Sequence, residues 1–85
     1  MGTEFDVLAD YIRAETGYRG RIDPDDDLLA SGVLDSFNIV SLAVYAQEHF
    51  GIEFESDDLS RENLARLSSL IALIHERRSA RPNVI

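Results

Sequence analysis

The sequence predicts an all-α fold: a small four-helix bundle with three main helices, one short helix and a long first loop. Apolar residues recur at helical spacing in three segments, and no segment alternates apolar and polar residues as a half-buried strand would. The chain has 85 residues and no cysteine, so regular helix packing must hold one small core without disulfides. We predict a single domain over residues 1–78 and a flexible tail over residues 79–85, which contains Pro82 and lacks periodicity.

The first helix is predicted over Glu4–Glu15, with Thr3 as a suitable N-cap. Its main apolar positions recur every three to four residues: Phe5, Leu8 and Ile12. A polar segment punctuated by glycine and proline follows from Tyr18 to Asp35. At 18 residues this segment is longer than most connections in a compact bundle, and we expect an ordered loop that wraps the domain or serves its function.

The second helix is the best defined, over Ser36–Phe50, and the glycine that follows it favours a helix end at that point. Asp35 and Ser36 are both good N-cap residues, and the pattern does not choose between them. One apolar stripe marks the buried face of this helix: Ile39, Leu42, Ala43, Ala46 and Phe50. The outer faces are left with the remaining positions: Phe37, Val40, Ser41, Val44, Gln47 and Glu48.

Two further helices complete the predicted bundle. A brief helix over Asp57–Glu62 has Ser56 as its cap and Leu59 as its anchor. The last helix begins between Arg66 and Ser68. Its apolar residues follow the i, i+3, i+4, i+7 pattern of an amphipathic helix: Leu67, Leu70, Ile71 and Ile74.

Charge is concentrated in the middle of the chain. The net charge is −8, and residues 22–60 contain ten acidic side chains and no arginine or lysine. Such a block repels nucleic acid and anionic membranes, and it either steers partners that present Arg and Lys or only keeps the protein soluble. No apolar run approaches the about 20 residues that a membrane span needs, so we expect a cytoplasmic protein that does not insert into membranes.

The residue types argue against catalysis by the chain alone. Without cysteine there is no thiol nucleophile and no cysteine-based metal site. His49 lies 13 residues from Ser36 on the same predicted helix, about 20 Å away, too far to activate that hydroxyl. A calcium loop starting at Asp23 would need a glycine where Leu28 stands and a glutamate where Leu34 stands. We therefore predict a protein that is not an enzyme.

A set of short motifs remains at the start of the second helix and after it. Gly32 to Phe37 reads G-V-L-D-S-F, Phe50 to Phe54 reads F-G-I-E-F, and Asp57 to Leu64 reads D-D-L-S-R-E-N-L. In this order, between the long loop and the last amphipathic helix, the chain resembles the acyl, aminoacyl and peptidyl carrier proteins, which bear a 4′-phosphopantetheine arm. The resemblance covers almost the whole domain.

The resemblance implies a role for each matching residue. Ser36 would be the attachment serine, modified by a phosphopantetheinyl transferase that takes the arm from coenzyme A with magnesium in its own site. Asp35 would help the transferase and its metal engage that serine. Phe37 would be an exposed apolar contact for partners, and Val40 and Val44 would continue the docking surface. Ser41, Gln47 and Glu48, on the outer faces of the same helix, would complete this docking surface.

By this resemblance the protein is expected to be a discrete, monomeric carrier of an acyl or aminoacyl thioester, loaded by an adenylating or acyl-loading ligase and serving a downstream transferase or synthase. Between Ser36 and Phe50 the only carboxylate is Glu48, and Phe37 replaces the commoner leucine, which favours specialised metabolism of the polyketide or nonribosomal-peptide type. The alternative is an acidic helical interaction module in which Ser36 is only a helix cap. A serine hydrolase is a third hypothesis, but the sequence places no base beside the serine.

Overall fold

The computed structural model describes residues 3–80, which fold into four α-helices and one 3-10 turn without strands. The elements in chain order are α1 over Thr3–Thr16, α2 over Ser36–Phe50, the 3-10 turn over Ser56–Asp58, α3 over Arg61–Leu64 and α4 over Leu67–Ala80. The predicted all-α class, with three long helices and a long first loop, is confirmed. Among the described residues, no helix combines the length and the apolar character that crossing a membrane requires.

The brief helix predicted over 57–62 is wrong, because the chain bends in its middle. Asp58 closes the 3-10 turn by accepting the Glu55 N–H, at 2.8 Å. Ser60 then caps a separate helix, α3, by accepting the Asn63 N–H at 3.3 Å. Leu59 lies between the two with non-helical dihedral angles, φ −85° and ψ 60°. Two local caps in succession therefore replace one continuous helix.

The last helix runs further than predicted. Ser79 and Ala80 are helical, whereas the tail was predicted to begin at residue 79. The sequence offers no reason to stop at that point, because the first residue that disfavours helix is Arg81, which precedes Pro82. The rest of the predicted tail, residues 81–85, lies outside the described residues.

The core is formed where α1, α2 and α4 meet. Its six largest fully buried side chains come from these helices: Leu8, Ile12, Leu42, Leu67, Leu70 and Ile74. The long loop adds three more buried side chains to the same cluster: Ile22, Leu28 and Leu34. Burying an aliphatic side chain of this size stabilises the fold by about 1.5–3 kcal/mol, so the loop is fixed to the core rather than free.

The carboxylates of the loop cap its turns. Asp27 Oδ1 accepts hydrogen bonds from Leu29 N, at 3.0 Å, and from Ala30 N, at 2.9 Å. Asp23 Oδ1 accepts a hydrogen bond from Asp25 N, at 2.9 Å. Side chains of this type favour turns because they satisfy backbone donors two or three residues ahead. Part of the acidic run therefore shapes the loop.

Backbone hydrogen bonds also join the loop to the corner between α3 and α4. Leu28 N donates to Ala65 O, and Ser68 N donates to Pro24 O, both at 2.8 Å. These bonds satisfy backbone groups that would otherwise be left in a partly buried place. They fix the loop in a position that places residues 34–36 at the start of α2.

Candidate functional site

Asp35 caps α2, and Ser36 is the first residue of the helix. The Asp35 Oδ1 atom accepts the Asn38 N–H at 2.8 Å, and the Asn38 side chain accepts the Asp35 N–H at 3.2 Å. This reciprocal pair is a capping box, and it leaves the Asp35 backbone extended, with φ −111° and ψ −178°. The question that the sequence left open is thus answered in favour of Asp35. Ser36 is exposed and its hydroxyl is not the cap.

The chain on both sides of the serine is firmly anchored. Leu34, two residues before it, is 3% exposed, and Leu34 N donates to Leu28 O at 3.0 Å. Ile39, three residues after it, is 7% exposed. Gly32 has a φ of +83°, a left-handed conformation that residues with side chains rarely adopt. Glycine at this position therefore allows the loop to turn towards the start of α2. Three exposed residues, 35–37, therefore lie between two buried ones at a fixed place on the surface.

Apolar side chains follow the serine along the exposed face of α2. Phe37 is 73% exposed, Val40 61% and Val44 46%. They lie on the face of α2 that the apolar stripe left outward, and the structure has them exposed as that pattern indicated. Large apolar side chains grouped in solvent are typical of a surface that contacts a partner.

Leu59 joins this group from another part of the chain. It is 51% exposed, although the sequence pattern placed it inward as the anchor of a short helix. The bend described above turns it outward, and Asp58 and Leu64 are buried instead. The sequence missed it because an apolar residue between two short caps has no periodicity by which its direction can be read.

A cleft of about 210 Å³ lies between α2 and α3, and it is mostly apolar. Ser36 borders this cleft, as do Val40, Val44 and Leu59. Among its lining residues, Arg61 alone is charged. The full lining is Leu29, Ser36, Ile39, Val40, Ala43, Val44, Gln47, Leu59, Ser60, Arg61 and Leu64.

The polar residues expected on the outer faces of α2 differ in how far they are exposed. Glu48 is exposed and Ser41 is half-buried. Gln47 is half-buried, and its Oε1 accepts the Phe54 N–H at 2.7 Å. This bond ties the segment after α2 to the helix, so the Gln47 carboxamide has a structural partner within the chain.

The surroundings of Ser36 suit a phosphate ester. The hydroxyl is exposed at the positive end of a 15-residue helix, where a negative group is stabilised by the helix dipole and by the N–H groups of the first turn. The helix end keeps its own cap, because Asp35 supplies it. An attached phosphopantetheine would need no rearrangement of this helix end.

The comparison with protein families agrees with this geometry. Residues 6–74 match the PP-binding family, described as a phosphopantetheine attachment site. Because the match spans most of the chain, the protein belongs to this family and is a phosphopantetheine-binding carrier protein, a class of generally non-catalytic carriers. No curated protein matches the chain.

Proposed function

We propose that this protein is a carrier that holds an acyl or aminoacyl group on a 4′-phosphopantetheine arm joined to Ser36 and delivers it to partner enzymes. The observation that supports Ser36 most strongly is the separation of roles at the start of α2. Asp35 caps the helix, and the exposed hydroxyl of Ser36 remains available for a phosphate ester. When bound, the arm supplies the thiol that this cysteine-free chain lacks and that holds the cargo as a thioester.

Asp35 has two tasks in this proposal. Its Oδ1 holds the first turn of α2, and its exposed carboxylate faces the transferase that brings the arm from coenzyme A with magnesium. A carboxylate beside the acceptor serine suits contact with a hard cation held by the partner. The proposed role needs the charge, whereas the cap needs only an acceptor oxygen.

The docking surface is proposed to be the exposed apolar group of Phe37, Val40, Val44 and Leu59. Its partners are the phosphopantetheinyl transferase, an adenylating or acyl-loading ligase and a downstream transferase or synthase. Glu48 is the only carboxylate on α2, so recognition would depend on apolar contact more than on a row of charges. This favours a specialised pathway, of the polyketide or nonribosomal-peptide type. We further propose that the carrier acts as a cytoplasmic monomer.

The alternative hypothesis, an acidic interaction module, no longer explains the presence of Ser36. In that hypothesis Ser36 was only a cap, and the structure assigns the cap to Asp35. An exposed serine at the start of a helix that is already capped is better explained by attachment.

Intact mass tests the proposal. The full chain is incubated with coenzyme A, magnesium and a broad-specificity phosphopantetheinyl transferase, beside Ser36→Ala and the control Ser31→Ala, which changes an exposed serine in the preceding loop. We expect the parent and Ser31→Ala to gain the mass of one phosphopantetheinyl group and Ser36→Ala to stay unmodified. Unmodified parent protein, or full gain by Ser36→Ala, would contradict the proposal.

A further inference from the structure

Arg61 is the only charged residue among those described that line the cleft bordered by Ser36. It is also the first arginine after a stretch, residues 22–60, that has neither arginine nor lysine. The other residues around the cleft are apolar or uncharged. A single guanidinium at the edge of an apolar cleft is unusual enough to ask what it binds.

Asp27, the partner of Arg61 within the chain, uses only a small part of the hydrogen-bonding capacity of the guanidinium. Its Nη2 atom lies 3.4 Å from Asp27 Oδ2, a long contact, and its side chain is 59% exposed. An exposed ion pair of this kind contributes little to stability. Asp27 itself is fixed by its bonds to Leu29 N and Ala30 N, so it holds the guanidinium near the cleft. Among the described residues, only one hydrogen bond involves the five N–H donors of Arg61.

We infer that Arg61 binds an anionic oxygen group that the arm on Ser36 brings to the cleft, and this rests on the function proposed above. Two sources have this chemistry: the phosphodiester that joins the arm to Ser36, and a carboxylate on the cargo. The planar guanidinium fits both, because its paired N–H groups match two oxygens at once.

The local charge also calls for a cation. An arm on Ser36 places a negatively charged phosphodiester on the residue next to Asp35, and its charge and that of the Asp35 carboxylate repel each other. Arg61, across the cleft, offsets this repulsion. Because the group is tethered, its effective concentration at the cleft is high, and even a weak contact biases the arm towards α3.

The test follows the Arg61 side chain by NMR of the ¹⁵N-labelled full chain, through its Nε–H signal. Four forms are compared: without the arm, with the bare arm, with an arm carrying a straight-chain acyl group, and with an arm carrying the same chain ending in a carboxylate. Arg66 is the control, because it is exposed, bonds to Asp25 O and does not line the cleft. A shift of Arg61 alone with the bare arm identifies the phosphodiester, and a shift that needs the terminal carboxylate identifies the cargo.

A second measurement follows the arm itself. With a nitroxide-labelled pantetheine on Ser36, relaxation enhancement at the amides of α3 should fall roughly two- to fivefold in Arg61→Gln, as loss of a weak ion contact implies, and less in Arg61→Lys. The matched change Arg66→Gln should leave it as in the parent. The inference is overturned if the Arg61 signal is the same in all four forms, or if both glutamine variants behave alike.

The two proposals fail in different ways. If no phosphopantetheinyl group appears on Ser36, the carrier function fails and takes the inference with it. If the arm is attached and Arg61 does not respond, the carrier function stands, and Arg61 only links α3 to the loop through Asp27.

Discussion

Asp35 and Ser36 are adjacent in sequence, but the start of α2 falls between them. Asp35 has extended dihedral angles and lies outside the helix, whereas Ser36 is already helical. A capping side chain must lie outside the helix to reach back to the third helical N–H. The aspartate therefore forms the cap, and the serine hydroxyl is left on the surface.

The two tasks proposed for Asp35 can be separated by Asp35→Asn. Asparagine caps helices about as well as aspartate, so the melting temperature should stay close to that of the parent. Loading of Ser36 by the transferase should slow roughly tenfold, the cost of losing one charge-assisted contact. Melting curves and the initial rate of mass gain measure the two effects. An unchanged loading rate would limit Asp35 to its capping role.

Phe37 is predicted to be a contact residue that the fold does not need. Because its side chain is 73% exposed, Phe37→Ala should change the free energy of unfolding by no more than about 0.5 kcal/mol. Loading by a partner enzyme should slow. Denaturant melts and loading kinetics provide the comparison, with Leu42→Ala as the buried control on the same helix.

That control should behave in the opposite way. Leu42 is fully buried, and its truncation should cost about 2–5 kcal/mol through lost contacts and the cavity left behind. A comparable loss in Phe37→Ala would mean that the ring contributes to the core.

At the scale of elements, α2 was predictable from end to end. Its apolar stripe gave the buried face, its start lay at Asp35 or Ser36, and its end is set by Gly51, which has a φ of 66°. A left-handed residue of this kind closes a helix most easily when it is glycine. The exposure of Phe37 followed from the same pattern, whereas Phe50, predicted inward, and Ser41 and Gln47, predicted outward, are half-buried.

The opposite wall of the cleft was not predictable. Leu59 and Arg61 belong to a segment in which two short turns interrupt the helical period, so the inward direction predicted for Leu59 is wrong and the pattern gave none for Arg61. Their position beside α2 depends on a chain bend and on packing between residues distant in sequence. The only signal that the structure bears out is Ser60 as a cap, whereas Ser56, predicted to be the cap, lies inside the 3-10 turn and Glu55 takes the cap position.

Gln47 is predicted to hold the segment that follows α2. Removing its acceptor in Gln47→Ala leaves the partly buried Phe54 N–H without its bond, at a cost of about 1–3 kcal/mol. The Phe54 amide should then exchange hydrogen roughly 5- to 150-fold faster. Glu48→Ala, the exposed neighbour, is the matched control. Equal Phe54 exchange in both variants would contradict this role.

At the scale of the molecule, one ion pair joins the 3-10 turn to the last helix. Asp58 is 6% exposed, Arg77 Nε lies 2.7 Å from its Oδ2, and Arg77 Nη2 donates to its Oδ1 at 2.9 Å. The hydrogen bond from Arg77 lowers the pKa of Asp58 below its ordinary value of 3.8, and the Glu55 N–H acts in the same direction. The pair links the turn that directly precedes Leu59 to α4.

Acid should therefore weaken the fold through Asp58. A carboxyl with a lowered pKa in the folded state contributes stability above its ordinary pKa of 3.8, and this is lost as the pH falls through the lower folded-state value. Between roughly pH 5 and pH 2 the melting temperature of Asp58→Asn should fall less steeply than that of the parent. Asp57→Asn, an exposed neighbour with the same change, should follow the parent profile. Parallel profiles for all three proteins would contradict the role of the pair.

Ser36 is one of eight serines in the sequence, so the residue that receives the arm must be identified directly. The most direct measurement is tandem mass spectrometry of the parent chain after incubation with coenzyme A, magnesium and the transferase. Fragments that break the chain on either side of residue 36 assign the added mass to one side chain. The predicted result is one phosphopantetheinyl group on Ser36 and none elsewhere. An added group on any other residue, or an unmodified chain, would contradict the account.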